Sequence, residues 1–203
     1  MTGLALSPEM AGKLAVLYQE MEVDYDRTAA KIGLTCQGCS DNCCDSYFLH
    51  YTYIEWAYLW RGLRTLPPPL VETAQERARL CLDHYRQAEA AGLWPKIMCP
   101  LNQDGLCILY LYRPMLCRVH GVAARLRRPD GRTLHFPGCF RCQELLASPG
   151  SVSTEMDRTA LLRRLANLEN AFLGGRLAAL PKMKMPLAAM LVAEDGGQMT
   201  EDR

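Results

Sequence analysis

The sequence has almost no net charge, no long apolar run and no basic leader, and each absence removes a class of function. Lys and Arg number 23 against 22 for Asp and Glu, so no global field draws the chain to nucleic acid or to an anionic membrane. No hydrophobic stretch approaches the ~20 residues that a membrane span needs. The opening Met1-Thr2-Gly3-Leu4-Ala5-Leu6-Ser7-Pro8-Glu9 has no positive region ahead of a hydrophobic segment, so the expected compartment is the cytoplasm. Internal repeats and low-complexity tracts are missing too. Membrane and nucleic-acid partners are therefore not expected, and a partner protein is left open.

Cysteine is what the chain has in excess: ten in 203 residues. A chain of this length buries a core without covalent staples, and in a reducing compartment disulfides do not persist. The thiols need another reason to exist. Secretion by an unrecognised route would reopen a disulfide reading.

The spacing of apolar residues predicts a mainly α protein with a minor β part, in which helices pack around an irregular cysteine-rich metal-binding centre with a small hairpin. Ser7 and Pro8 open an amphipathic helix over 8–32, with Met10, Leu14, Leu17, Met21 and Tyr25 on one stripe and Gly33 as its stop. After a loop from Cys36 to Cys44, Ser46-Tyr47-Phe48-Leu49-His50 reads as a short strand. Thr52 and Glu55 then form a capping box for a helix carrying Ile54, Trp56, Tyr58, Leu59 and Trp60. Pro67, Pro68 and Pro69 end that helix and start another, with Val71, Ala74, Ala78, Cys81, Tyr85 and Ala88 inward.

From Trp94 to Cys142 the helical period is lost. Turn signals stand at Asp104-Gly105 and Pro129-Asp130-Gly131, and the second joins Val122–Leu126 to Thr133–Phe136 in a hairpin. A helix over 154–173, capped near Ser153 or Thr154, places Leu161, Leu165, Leu168 and Phe172 at core spacing. The stretch after Met185 is weakly patterned. One domain spanning 1–203 is expected, with its cysteine core at about 36–142.

Nine cysteines fall in segments read as non-helical: Cys36, Cys39, Cys43, Cys44, Cys99, Cys107, Cys117, Cys139 and Cys142. Cys36-Gln37-Gly38-Cys39 and Cys139-Phe140-Arg141-Cys142 each place two thiols two residues apart, which lets a tight turn aim both sulfurs at one ion, and Gly38 supplies the backbone freedom. Metals bind the thiolate, so nearby cations favour ligation. Arg113, Arg118, His120 and Arg141 stand next to ligand candidates and are nominated as supports of the site, with His120 also a ligand candidate.

A closed zinc site takes four ligands, so nine thiols imply a polynuclear centre or two sites. The side chains of the adjacent Cys43 and Cys44 diverge, so one of the pair is read as serving a second metal or as a spare redox thiol. Cys81 reads as core. The aromatic run Tyr47, Phe48, Tyr51, Tyr53, Trp56, Tyr58 and Trp60 also reads as core, and would shield a cluster if it covered one. Zinc, iron and an iron-sulfur cluster all suit these ligands, in a structural, redox or metal-sensing role. An enzyme that leaves one coordination position open for substrate is the alternative. Arg125, Arg127, Arg128 and Arg132 on the hairpin read as a solvated strand edge, with recognition of a nucleic acid or a protein as the competing reading.

At these residues the chain resembles the YkgJ family of cysteine-cluster proteins, a zinc- or iron-chelating domain named for a C-x2-C-x2-C-C signature. Cys36-Gln37-Gly38-Cys39-Ser40-Asp41-Asn42-Cys43-Cys44 matches it with one extra residue before the vicinal pair. Cys99-Pro100-Leu101, Gly105-Leu106-Cys107-Ile108-Leu109-Tyr110 and Arg113-Pro114-Met115-Leu116-Cys117-Arg118 are similar to the second half of the pattern. The resemblance covers about Cys36 to Cys142 and implies chelation by Cys36, Cys39, Cys43, Cys44, Cys99, Cys107 and Cys117, with Cys139 and Cys142 following in a looser match. Flagellin lysine N-methylases share the cysteine signature and an association with an iron-sulfur cluster, which implies methyl transfer as a possible activity. Against it, this chain is much shorter, and it carries neither a glycine-rich S-adenosylmethionine motif nor a C-x3-C-x2-C radical signature.

Overall fold

The computed structural model describes residues 5–37, 39, 43–151, 154–176 and 179–193. Helix makes up 56% of the structure and strand 10%, so the chain is mainly α with minor β, as its patterning implies. In chain order the elements are α1 (Pro8–Ile32), β1 (Leu49–His50), α2 (Tyr53–Leu63), α3 (Pro68–Ala90), β2 (Asn102–Gln103), β3 (Leu106–Cys107), α4 (Met115–Val119) and β4 (Ala124–Arg127). Then follow β5 (Thr133–Phe136), α5 (Phe140–Ala147), β6 (Met156–Asp157), α6 (Thr159–Leu173), β7 (Met185–Pro186) and α7 (Leu187–Val192). They fall into two compact units. Unit 1 holds the described residues of Met1–Pro8, Cys44–Pro114 and Phe172–Arg203, and unit 2 those of Glu9–Cys43 and Met115–Ala171.

Unit 1 is organised by α2, whose buried positions run from Tyr53 through Leu59 without a polar face. Its two indoles are polar handles on an apolar body, and a buried N–H needs an acceptor. Trp56 and Trp60 both donate to the Met190 carbonyl, at 2.8 and 2.9 Å, and Gln75 of α3 donates to the Leu191 carbonyl at 3.2 Å. These bonds hold α7 against α2 and α3, in a stretch whose sequence is only weakly patterned; six residues are too few for a period to show. Thr52 is the N-cap of α2, but its hydroxyl accepts no helix N–H and instead donates to the Glu55 carboxylate at 2.5 Å. The expected capping box is therefore replaced by a direct side-chain bond. Asp104 (φ 52°) and Gly105 (φ 87°) make the two-residue turn between β2 and β3. Both residues at positive φ is the turn that matches the strand twist.

Unit 2 pairs β4 antiparallel with β5, with Arg125 opposite His135 and Arg127 opposite Thr133. On the other side β4 takes β6 in parallel, with Arg125 opposite Asp157. The expected helix over 154–173 therefore begins five residues late, at Thr159. Met156 and Asp157 are drawn into the sheet, where the Met156 N–H reaches the Ala123 carbonyl at 2.8 Å, and the Asp157 side chain accepts from the Thr159 N–H at 3.0 Å. The proposed cap Ser153 lies outside the described residues. Leu14, Leu17 and Met21 of α1 and Leu161 and Leu165 of α6 are buried as their spacing demands, while Leu168 is only half-buried. Arg158 is buried as well; it donates to the Val119 carbonyl at 2.5 Å, and burial lowers its pKa to about 10, which leaves it cationic at neutral pH.

His50 on β1 is 2% exposed and, among the described residues, its Nε2 has no hydrogen-bond partner. Burial holds its pKa below the ordinary imidazole range, against the opposing pull of Glu55. The unfolded chain takes up this proton more readily than the folded one, so the contribution to stability is full above pH ~6.5 and falls as the pH drops below it. Urea midpoints should therefore fall between pH about 7.5 and about 5.5, and His50→Gln should flatten that change.

Candidate metal centre

The first cysteine loop leaves α1 through Thr35, whose hydroxyl accepts from the Gln37 N–H at 3.1 Å. The Cys39 N–H then donates to the Cys36 carbonyl at 3.2 Å, closing the tight turn expected of a C-x2-C. The role assigned to Gly38 falls outside the described residues, as do Ser40, Asp41 and Asn42 of the signature. Cys43 and Cys44 sit in a 3-10 turn over Cys43–Asp45.

The second C-x2-C is anchored by backbone. Gly138 has φ 79°, and a Cβ there would lie 2.8 Å from the Ala123 nitrogen and the Gly121 oxygen. Only glycine lets the chain press this close. As a result Cys139, the N-cap of α5, donates its N–H to the Gly121 carbonyl at 3.0 Å, and the Ala123 N–H reaches the Cys142 sulfur at 3.3 Å. Cys142 is fully buried, and burial pushes its thiol pKa up, opposed by the Ala123 bond.

Tyr25 of α1 joins these pieces. Gly121 lies against its phenol, and a Cβ at that position would overlap the hydroxyl. Burial raises the Tyr25 pKa, and the charges of Cys36, Cys43 and Cys139 raise it further, as does its hydrogen bond to the Cys36 sulfur. Three of the nominated thiols, from chain segments about a hundred residues apart, thus lie within electrostatic reach of one half-buried phenol. Tyr25 stands on the expected α1 stripe, but spacing alone gives its hydroxyl no role.

In unit 1 the Cys99 N–H donates to the Cys44 carbonyl at 2.7 Å. Cys81 is buried on α3, as its place on the stripe implies, and its thiol donates to the Met98 carbonyl at 3.4 Å. Burial raises the pKa of Tyr85, followed by the charges of Cys81 and Cys99. Cys81 therefore neighbours a nominated ligand. Cys107 lies on β3 opposite Asn102.

Two of the nine cysteines expected outside helices are on helices. Cys117 lies in α4 and Cys142 in α5, elements of 5 and 8 residues that are too short to show a period in sequence. All ten cysteines are unbridged. Among the described residues, no three His, Cys, Asp or Glu side chains are already placed to hold one metal ion. Thiolate sulfur is the donor that zinc, iron and iron-sulfur clusters take.

Two of the nominated cations, Arg118 and Arg113, are engaged with other groups. Arg118 is buried, paired with Glu22 at 2.5 Å and stacked over Tyr18 at 4.1 Å. Arg113 lies over the Tyr110 ring at 3.5 Å and donates to the Tyr110 carbonyl at 2.9 Å. His120 and Arg141 are half-buried.

No family model, curated protein or solved structure matches the chain.

Gly138→Ala should cost about 2 kcal/mol or more, from positive φ and overlap with backbone that cannot move aside. Gly121→Ala should cost about 1–3 kcal/mol by displacing Tyr25. Thermal denaturation of both variants checks the ordering.

Proposed function

We propose that this chain is a cysteine-cluster protein that binds zinc, iron or an iron-sulfur cluster through thiolates, in a structural, redox or metal-sensing role. The gathering of Cys36, Cys43 and Cys139 about Tyr25, with Cys142 next to Cys139, is the observation that carries this reading. These four are the leading ligands in unit 2, and a main-chain bond from the Cys39 N–H to the Cys36 carbonyl keeps Cys39 in the same turn as Cys36. The resemblance of the Cys36–Cys44 signature to YkgJ-type chelating domains supports the same chemistry. Cys117 also belongs to unit 2, whereas Cys44, Cys99 and Cys107 belong to unit 1, where the Cys99 N–H meets the Cys44 carbonyl. Two groups account for the surplus over one four-ligand ion, and they give the vicinal Cys43 and Cys44 different destinations.

A metal entering such a site binds deprotonated sulfur, releases protons and stabilises the fold by something on the order of 10 kcal/mol. Expression with supplemented iron, anaerobic purification and analysis of metal and acid-labile sulfide should find a stoichiometric metal. A Cys36→Ser/Cys139→Ser double variant should lose metal from unit 2. A folded wild-type product free of both zinc and iron overturns the proposal.

A further inference from the structure

The hairpin arginines have no part in the thiol reading, yet two of them, Arg125 and Arg127, line a cavity of about 500 Å³ in unit 2. The sheet register explains why. Residues two apart on a strand share a face, so Arg125 and Arg127 of β4 point the same way as their partners His135 and Thr133 on β5. Asp157 of β6 stands opposite Arg125. Thr159 completes the wall as the first residue of α6, and its hydroxyl oxygen accepts from the Arg127 N–H at 3.0 Å. The alternate residues Ala124 and Leu126 are buried and half-buried, so the polar side chains are gathered on the other face.

Two guanidinium groups and one carboxylate line the cavity. Arg125 is paired with Asp157 at 3.1 Å, and His135 is bonded to Glu155 at 2.8 Å. Among the described residues, no carboxylate pairs with the Arg127 guanidinium. A concave surface with one guanidinium that no described carboxylate holds, a second shared with a single carboxylate, and the Thr133 hydroxyl has donors that phosphate oxygens take, while Asp157 occupies the hydroxyl and N–H of Thr159. The volume suits a small molecule.

We propose that this cavity binds the phosphate group of a small phosphorylated metabolite, of about mononucleotide size, with Arg127 as the principal contact and Arg125 as the second. Asp157 competes with the ligand for Arg125 and sets the affinity. The site is independent of whatever the thiols hold.

The test titrates the full chain with inorganic pyrophosphate and with adenosine monophosphate, followed by calorimetry and by NMR shifts of the hairpin amides. Both probes should bind and shift the Arg125 to Thr133 amides. Arg127→Ala should weaken binding about tenfold or more. Asp157→Asn keeps an acceptor for the Thr159 N–H but removes the competing charge, and should tighten binding several-fold, which a merely structural role for Asp157 would not do. Absence of binding, or affinities that neither substitution moves while both variants keep the wild-type melting temperature, overturns the proposal. A short single-stranded RNA that binds far more tightly than the mononucleotide, with the steep salt dependence of several phosphate contacts, overturns it in favour of a nucleic-acid surface.

Discussion

The close approach of Gly138 to the backbone of Gly121, Val122 and Ala123 is the contact on which the thiol arrangement of unit 2 depends. It seats the Cys139 N–H on the Gly121 carbonyl and brings the Ala123 N–H to the Cys142 sulfur. Gly121, lacking a Cβ, leaves room for the Tyr25 hydroxyl, and Tyr25 reaches Cys36 and Cys43 in turn. Two absent side chains therefore place two cysteine motifs around one phenol. A methyl group at either glycine would force them apart.

Unit 1 uses a different device. There an apolar helix, α2, has no polar face to spare, and its indole N–H groups are satisfied by a carbonyl in α7 some 130 positions later in the chain. That pairing, with the bridge between β1 and β7, holds in place the frame from which Cys44, Cys81 and Cys99 extend. Cys43 groups with one unit and Cys44 with the other, which suits neighbouring side chains that leave the backbone in divergent directions.

The long periodic elements were legible from sequence: α1 starts at Pro8 and α3 at Pro68, where proline at a helix start costs no hydrogen bond. Turn chemistry was legible too, in Asp104-Gly105 and in the hairpin around Asp130-Gly131. What escaped depends on distant partners. β6 exists because β4 offers it an edge, so Met156 and Asp157 leave the helical pattern they seem to belong to. α4, α5 and α7 are too short to carry a period. Thr52 and Glu55 have the capping spacing, yet their side chains bond to each other. In the site, cysteine spacing nominates the candidate thiols, whereas Tyr25, Gly121 and Gly138 carry no such signal, because their roles are steric and arise only when separate segments meet.

The central claim is that sulfur, and not nitrogen or oxygen, holds a metal on this chain. X-ray absorption at the metal edge of the full chain, loaded and kept anaerobic, tests it most directly. The account expects a first shell dominated by sulfur at about 2.3 Å, weakened when Cys36 and Cys139 are replaced by serine. A shell of nitrogen and oxygen alone, unchanged by those replacements, would contradict it.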